Sequence, residues 1–205
     1  MRRLLAATNN RGKLSEILSL LDGLPMEIVT PDKVGLSLEV AETGSTYEEN
    51  ASLKAIAFMH ASGLVALADD SGLEVDALDG LPGIRSARFS PLPNASDADR
   101  RAYLLNLLKP YPRPWIAHFH CTVAIAAPDE QIYFTQGNCP GEIIPFERGT
   151  NGFGYDPIFF IPEVGMTMAE LSMSKKNLLS HRARAIKAAI PILLELLEKP
   201  SGLPI

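Results

Sequence analysis

Two adjacent carboxylates, Asp69 and Asp70, follow the apolar run of residues 64–68 and precede Ser71-Gly72-Leu73. A buried strand carries such charge only where water, a metal or a ligand satisfies it. The run therefore reads as a buried strand ending at the Asp pair, with Gly72 in the turn beyond. Strand ends are where α/β proteins hold their sites. Hard carboxylate oxygens suit Mg²⁺, and Mg²⁺ suits phosphates. The pair thus turns attention to phosphate-binding groups elsewhere in the chain.

One candidate is Thr8-Asn9-Asn10-Arg11-Gly12-Lys13. Residues 4–7 predict a short buried strand, residues 8–12 a turn, and residues from about 13 to 21 a helix with Leu14, Ile17, Leu18 and Leu21 on one face. Backbone N–H groups at a helix N-terminus attract anions, and Lys13 adds a cation. The spacing is not that of a Walker A loop, and an Asn-rich helix cap with a solvated lysine accounts for the same residues. A second strand is expected over residues 26–30, then loop to residue 46. Thr46-Tyr47-Glu48-Glu49 predicts a capping box opening a helix that Gly63 closes. Glu48 and Glu49 suit that helix start. Glu42 lies in the loop before it, and near Asp70 it could complete a two-carboxylate Mg²⁺ site. Glu49 and Lys54 are five apart, outside the spacing of a helical pair.

The second half offers a weaker cap at Ser96 and Asp99, a hairpin over residues 115–127 and 131–139, and a strand over residues 158–161. A helical pattern from about residue 168 to Lys199 is expected to kink or split at Pro191. Arg148 to Asp156 contains Gly149, Gly152 and Gly154 beside Phe153 and Tyr155. Such a loop lets backbone approach a ligand, and an aromatic there can stack on a base; a tight turn would look the same. Lys176 and Arg182 are six apart, so they converge only if a helix starts between them. His60, His118 and His120 read as structural.

The chain has 205 residues, 46% of them hydrophobic, with net charge −5. The length and composition fit one large domain or two closely packed lobes, the order of elements argues for one mixed-sheet α/β domain spanning residues 1–205, and the charge argues against broad nucleic-acid binding, which needs a basic face. Cys121 and Cys139 form no C-x-x-C pair, which points to buried thiols in a reducing cytosol. The apolar run after Arg3 is too short for a signal peptide, and no stretch nears the roughly 20 apolar residues of a membrane span. A cytoplasmic location without membrane contact is expected.

Seven motifs carry a resemblance: Thr8 to Lys13, Glu42-Thr43-Gly44, Glu49-Asn50-Ala51, Ala68 to Leu73, Gly83-Ile84-Arg85-Ser86-Ala87-Arg88, Gly152 to Pro157, and Ser180-His181-Arg182. In this order they resemble the inosine triphosphate pyrophosphatase family, which hydrolyses ITP, dITP and XTP. The resemblance covers nearly the whole chain. It implies two lobes around a long curved mixed sheet, a purine nucleoside triphosphate in the cleft between them, and a homodimer. It implies that Thr8, Asn9, Asn10, Arg11, Gly12 and Lys13 bind the triphosphate and that Lys54 adds a cation there. Glu42 and Asp70 would hold Mg²⁺, Asp70 would be the general base, and Ser71 would contact substrate. Phe153, Gly154, Tyr155, Asp156, Lys176, His181 and Arg182 would form the nucleoside side. The family often has Gly where Asn9 and Asn151 stand, and an aromatic where Arg85 stands. Two other readings are a Maf-like pyrophosphatase for pyrimidine or modified nucleotides, and a nucleotide-binding module without catalysis.

Overall fold

The structure is a computed structural model and describes residues 2–198. Its sheet has seven strands in the order β2-β1-β3-β4-β5-β6-β7. These are β1 (Arg3–Ala6), β2 (Glu27–Val29), β3 (Val65–Val75), β4 (Trp115–Ala126), β5 (Ile132–Ile143), β6 (Phe159–Ile161) and β7 (Met166–Thr167). β1 pairs in parallel with β2 and β3, while β6 pairs antiparallel with β5 and β7, so the sheet is mixed. Among the described residues five α-helices accompany it: α1 (Arg11–Leu21), α2 (Tyr47–Ser62), α3 (Asp97–Leu108), α4 (Met173–Leu179) and α5 (His181–Glu198). None is long and apolar enough to cross a membrane.

The backbone forms two compact units. One comprises residues 2–70, 122–136 and 184–198; the other comprises residues 71–121 and 137–183. The first unit packs α2 on the sheet through small residues, Ala51 and Ala55 against Ala66, Ala68, Ala124 and Ala126. Small side chains let a helix lie close to the strands it covers. Phe58 and Met59 fill the remaining space. The second unit is built from larger groups, with Leu104 and Leu108 of α3 against Trp115, Phe119, Ile143, Tyr155 and Phe159.

The helix starts follow their capping residues. The Asn10 side chain accepts from the Lys13 N–H at 3.0 Å and opens α1 at Arg11. Arg11 and Gly12 therefore belong to the first turn of the helix, not to the preceding turn. Thr46 caps α2, but Glu49 reaches the N–H of Ser45 at 2.6 Å, one residue short of a capping box. Ser96 and Asp99 form a complete capping box at α3.

Two further expectations are overturned. β3 does not end at the Asp pair; it continues through Asp69, Asp70, Ser71 and Gly72 to Val75. The reason is ion pairing with Lys13 and Lys54, described below, which lets the carboxylates stay inside a regular strand. The terminal helical segment breaks at Ser180, not at Pro191. Ser180 is extended (φ −68°, ψ 155°); its N–H donates to Lys176 O and its Oγ accepts from the Ala183 N–H. One residue thus closes α4 and caps α5. Pro191 sits on an exposed position within α5. Lys199 lies outside the described residues.

Candidate active site

In the first unit, the turn after β1 delivers Thr8, α1 delivers Lys13, the loop before α2 delivers Glu42, α2 delivers Asn50 and Lys54, and β3 delivers the Asp pair. Lys54 Nζ donates to Glu42 Oε1 at 2.6 Å and to Asp70 Oδ1 at 3.3 Å. Lys13 Nζ pairs with Asp69 Oδ2 at 3.2 Å. Consecutive strand residues point to opposite faces, so Asp69 and Asp70 each take a different lysine. Asn50 is fully buried; its Nδ2 donates to Asp70 Oδ2 at 3.3 Å while its Oδ1 accepts from the Gly44 N–H at 2.8 Å. Gly44 must be glycine for that approach, since a Cβ would stand 2.8 Å from Asn50 Oδ1.

The electrostatics of this cluster pull in opposite directions. Burial pushes the Asp70 carboxyl above its usual value; Lys54 and Lys13 oppose that, and Glu42 and Asp69 reinforce it. Burial pulls the Lys54 ammonium down, but Asp70, Asp69 and Glu42 outweigh it, and the net shift is upward. Three carboxylates face two ammonium groups, so the named groups carry a formal charge of −3 + 2 = −1. Among the described residues no group of three or more His, Cys, Asp or Glu is arranged to hold a metal. Glu42 and Asp70 nevertheless fit Mg²⁺. Its usual protein ligands are one or two carboxylates, with water and substrate phosphates filling the rest, and the cluster has negative charge in excess.

In the second unit, Phe153 is framed by cations. Lys176 Nζ lies 5.4 Å and Arg182 Cζ 5.7 Å from its ring centroid. The helix break at Ser180 places Lys176 and Arg182 on different helices, the condition for them to converge. Asp156 Oδ2 accepts from Lys176 Nζ at 2.6 Å and from the Phe153 N–H at 3.0 Å. Gly152 has φ +76°, and a Cβ there would overlap Asp156 Oδ2 and stand 3.0 Å from Lys176 Nζ. Arg182 is fully buried and donates to Ser71 Oγ at 2.8 Å. His181 stacks on Phe119 at 4.6 Å with planes 16° apart. Tyr155 OH donates to Ser86 O at 2.9 Å, and burial raises its phenol well above the ordinary value.

The chain matches the profile of the Ham1 family over residues 4–192. It belongs to that family. A Geobacter sulfurreducens protein named dITP/XTP pyrophosphatase is 50% identical over 187 residues, covering 91% of this chain and 94% of the relative. A Ham1 protein from Coxiella burnetii has a similar structure, with TM-score 0.85 and 38% identity over 95% of this chain and all of that one. A Mycobacterium abscessus structure titled nucleoside-triphosphatase / dITP/XTP pyrophosphatase gives TM-score 0.71 and 39% identity, over 94% of this chain and all of that one.

In this Ham1-family chain the residues expected at one site fall into two groups. Lys13, Glu42, Lys54 and Asp70 share one ion-paired cluster, with Thr8 buried nearby in sequence and accepting from the Asn10 N–H at 3.2 Å. Asn9 is exposed, with Nδ2 donating to Leu38 O at 2.8 Å, and Arg11 is exposed. Ser71, Phe153, Gly154, Tyr155, Asp156, Lys176, His181 and Arg182 lie in the second unit. Neither Asn9 nor Asn151 has a positive φ, so no left-handed backbone is needed there. Asn50 and Asp69 escaped a role in the sequence reading. Asn50 stood inside the Glu49-Asn50-Ala51 motif, and that was its one signal. Asp69 has no role in the sequence beyond its place beside Asp70, and its side chain is fully buried and ion-paired with Lys13.

Proposed function

We propose that this protein hydrolyses non-standard purine nucleoside triphosphates, ITP, dITP and XTP, to the monophosphate and pyrophosphate. Membership of the Ham1 family and relatives named dITP/XTP pyrophosphatase support the substrate class. The observation that carries the chemistry is the buried Asp70 carboxylate. It is pinned by Asn50 and Lys54, shares Lys54 with Glu42, and is held above its usual pKa.

Asp70 takes the proton of a water molecule at its carboxylate oxygen as that water attacks the α-phosphorus. The bond from the α-phosphorus to the bridging oxygen breaks, and pyrophosphate leaves. A raised carboxyl pKa brings the base closer to neutral pH, where proton transfer is more effective. Glu42 and Asp70 would hold Mg²⁺, which when bound supplies charge neutralisation at the phosphates. Lys13 and the first-turn N–H groups of α1, with Thr8, Asn9, Asn10, Arg11 and Gly12, bind the triphosphate, where positioning and positive charge matter most. Lys54 keeps both acidic groups oriented.

Phe153 stacks on the purine. Arg182 and His181 offer N–H donors, and Lys176 a cation, to the 6-oxo group that inosine and xanthine share. Adenine presents a donor at that position, which would leave buried donors unpaired. Gly154, Tyr155 and Asp156 shape the same loop, and Ser71 contacts substrate. A homodimer in the cytoplasm completes the reading; the resemblance supports it, and neither of the two buried cysteines is in a disulfide.

The test is pyrophosphate release from ITP, XTP, GTP and ATP with Mg²⁺ and with excess chelator. ITP and XTP should be turned over far faster than ATP and GTP, and the chelator should abolish release. Equal turnover of ATP and ITP overturns the specificity. Release of single phosphate overturns attack at the α-phosphorus.

A further inference from the structure

The second unit contains a device outside the groups assigned above. Asp97 and Arg101 stand four apart near the start of α3, and both reach the peptide groups flanking Gly154. Asp97 Oδ2 accepts from the Gly154 N–H at 2.7 Å, and Arg101 Nη1 donates to Gly154 O at 2.8 Å. The remaining donors of Arg101, Nε and Nη2, make a fork onto the two oxygens of Glu147 at 2.8 and 3.0 Å. One guanidinium therefore ties both ends of the segment from Glu147 to Gly154. α3 is a firm base for this grip. Its start is locked by the Ser96–Asp99 capping box, Leu104 and Leu108 are buried in the core, and Arg100 donates to Ala95 O at 2.6 Å.

From this geometry we propose that Asp97 and Arg101 are positioning residues that clamp the glycine-rich loop and hold Phe153 ready to receive a purine. The proposal rests on the nucleotide reading above. Phe153 lies one residue from the clamped glycine and is tied on its own N–H to Asp156. The loop around it has glycines at 149, 152 and 154, each at positive φ, and so has little stiffness of its own. An unclamped loop would populate many arrangements, and apparent affinity falls with the fraction that is competent to bind. Asp97 stays ionised for the task. Burial raises its pKa, but hydrogen bonds from Arg100 and from the Gly154 N–H more than offset that and hold it below the usual value. Neither side chain is needed to touch substrate.

The experiment pairs amide exchange of the peptide spanning residues 151–156 with full kinetic curves for ITP and ATP. The variants are Asp97→Ala, Asp97→Asn, Arg101→Ala and Arg101→Lys. Both alanine variants should exchange at least several-fold faster at the loop. Their KM for ITP should rise on the order of 10-fold, the scale of one lost charge-assisted hydrogen bond, with kcat changed less. The ITP-to-ATP ratio of kcat/KM should narrow. Asp97→Asn should recover most of both readouts, because an amide oxygen still accepts from Gly154 N–H. Arg101→Lys should not, because an ammonium cannot fork onto Glu147 while reaching Gly154 O. Unchanged exchange in the alanine variants overturns the clamp. Faster exchange with unchanged KM overturns its role in positioning, as does a fall in kcat alone. Asp97→Asn as impaired as Asp97→Ala overturns the hydrogen bond to Gly154 as the cause. If an alanine variant does not fold, the Asn and Lys variants decide by the same readouts. A wild-type protein that releases no pyrophosphate from ITP overturns the proposed function, while the exchange data still judge the clamp.

Discussion

The two units hold charge in opposite ways. In the first, Glu42, Asp69 and Asp70 outnumber Lys13 and Lys54, and every one of these groups except Glu42 is carried by a regular helix or strand. In the second, Lys176 and Arg182 outnumber Asp156 around Phe153, a formal −1 + 2 = +1, and the geometry comes from irregular backbone: a glycine-rich loop and a helix break at Ser180. Anion excess on rigid elements suits a cation and a base that must keep one orientation. Cation excess around an aromatic ring, on a loop that α3 must brace, suits recognition of a flat oxygen-bearing base. The difference teaches that the first cluster should fail through charge and the second through backbone shape.

The largest break in that contrast should come from Asp70→Asn. It keeps volume but removes the proposed base and a metal ligand, so kcat should fall by about 10²-fold or more. Stability should move the other way. The Asp70 carboxyl has a raised pKa in the folded protein, so its stabilising contribution is present below its unfolded value of about 3.9 and is lost as pH rises through the folded value. The amide of the variant does not titrate and would not carry that loss. The thermal midpoint of the variant should exceed wild type at pH 7, and the gap should close towards pH 4. Thermal unfolding at both pH values checks this; an unchanged midpoint would mean that Lys54 and Asn50 fully offset the burial.

Gly152→Ala should break the second cluster by shape alone. The φ of +76° is strained for any side chain, and the added Cβ would overlap the Asp156 carboxylate that holds Phe153 and Lys176. Strain of this kind costs about 1–3 kcal/mol. KM for ITP should rise by tens of fold at constant pH, with turnover at saturation reduced less. Kinetics that split the other way would place Gly152 with the chemistry.

A smaller effect is expected from Arg182→Lys, which keeps the charge and loses the planar fork. The ITP-to-ATP ratio of kcat/KM should shrink by roughly 1–3 kcal/mol if one charged hydrogen bond to the base is lost. Full curves for both nucleotides measure it. An unchanged ratio would move base reading to the backbone of residues 153–156.

What the sequence disclosed follows the same division. The local devices were legible: an Asn-rich cap before α1, Thr46 and Gly63 around α2, Ser96 with Asp99, and the glycines around Phe153. Each acts within a few residues, so spacing reveals it. The course of β3 was not legible, because the cations that keep its carboxylates inside the strand come from Lys54 and Lys13, 16 and 56 residues away. Pro191 misled for a related reason. A proline marks a possible break, but Ser180 ends one helix and caps the next with its own backbone and hydroxyl, and that double use has no distinctive spacing. Asp97 and Arg101 carry no local signal in the sequence, since their partner Gly154 lies 57 and 53 residues on.

Asp69→Asn should have the smallest effect on turnover and would sharpen the view of the first cluster as a charge balance. Asp69 is buried and pairs with Lys13, whose Nζ also lies 3.4 Å from Asp69 O. An amide keeps the volume and an acceptor for Lys13, so the strand should remain intact and kcat should fall only a few-fold, the scale of one partly retained hydrogen bond. The informative change is in pH dependence. Asp69 is one of the charges that raise Asp70, so its neutralisation should let Asp70 ionise at lower pH. A base works in its ionised form, so the acid limb of the kcat/KM profile should shift downward. Neutralisation also takes the named groups from −1 to zero, which weakens attraction for a divalent cation, so half-maximal activity should require more Mg²⁺. If the acid limb and the Mg²⁺ requirement both stay where they are in wild type, Lys13 alone isolates Asp69 from Asp70, and the cluster is two independent ion pairs and not one balance.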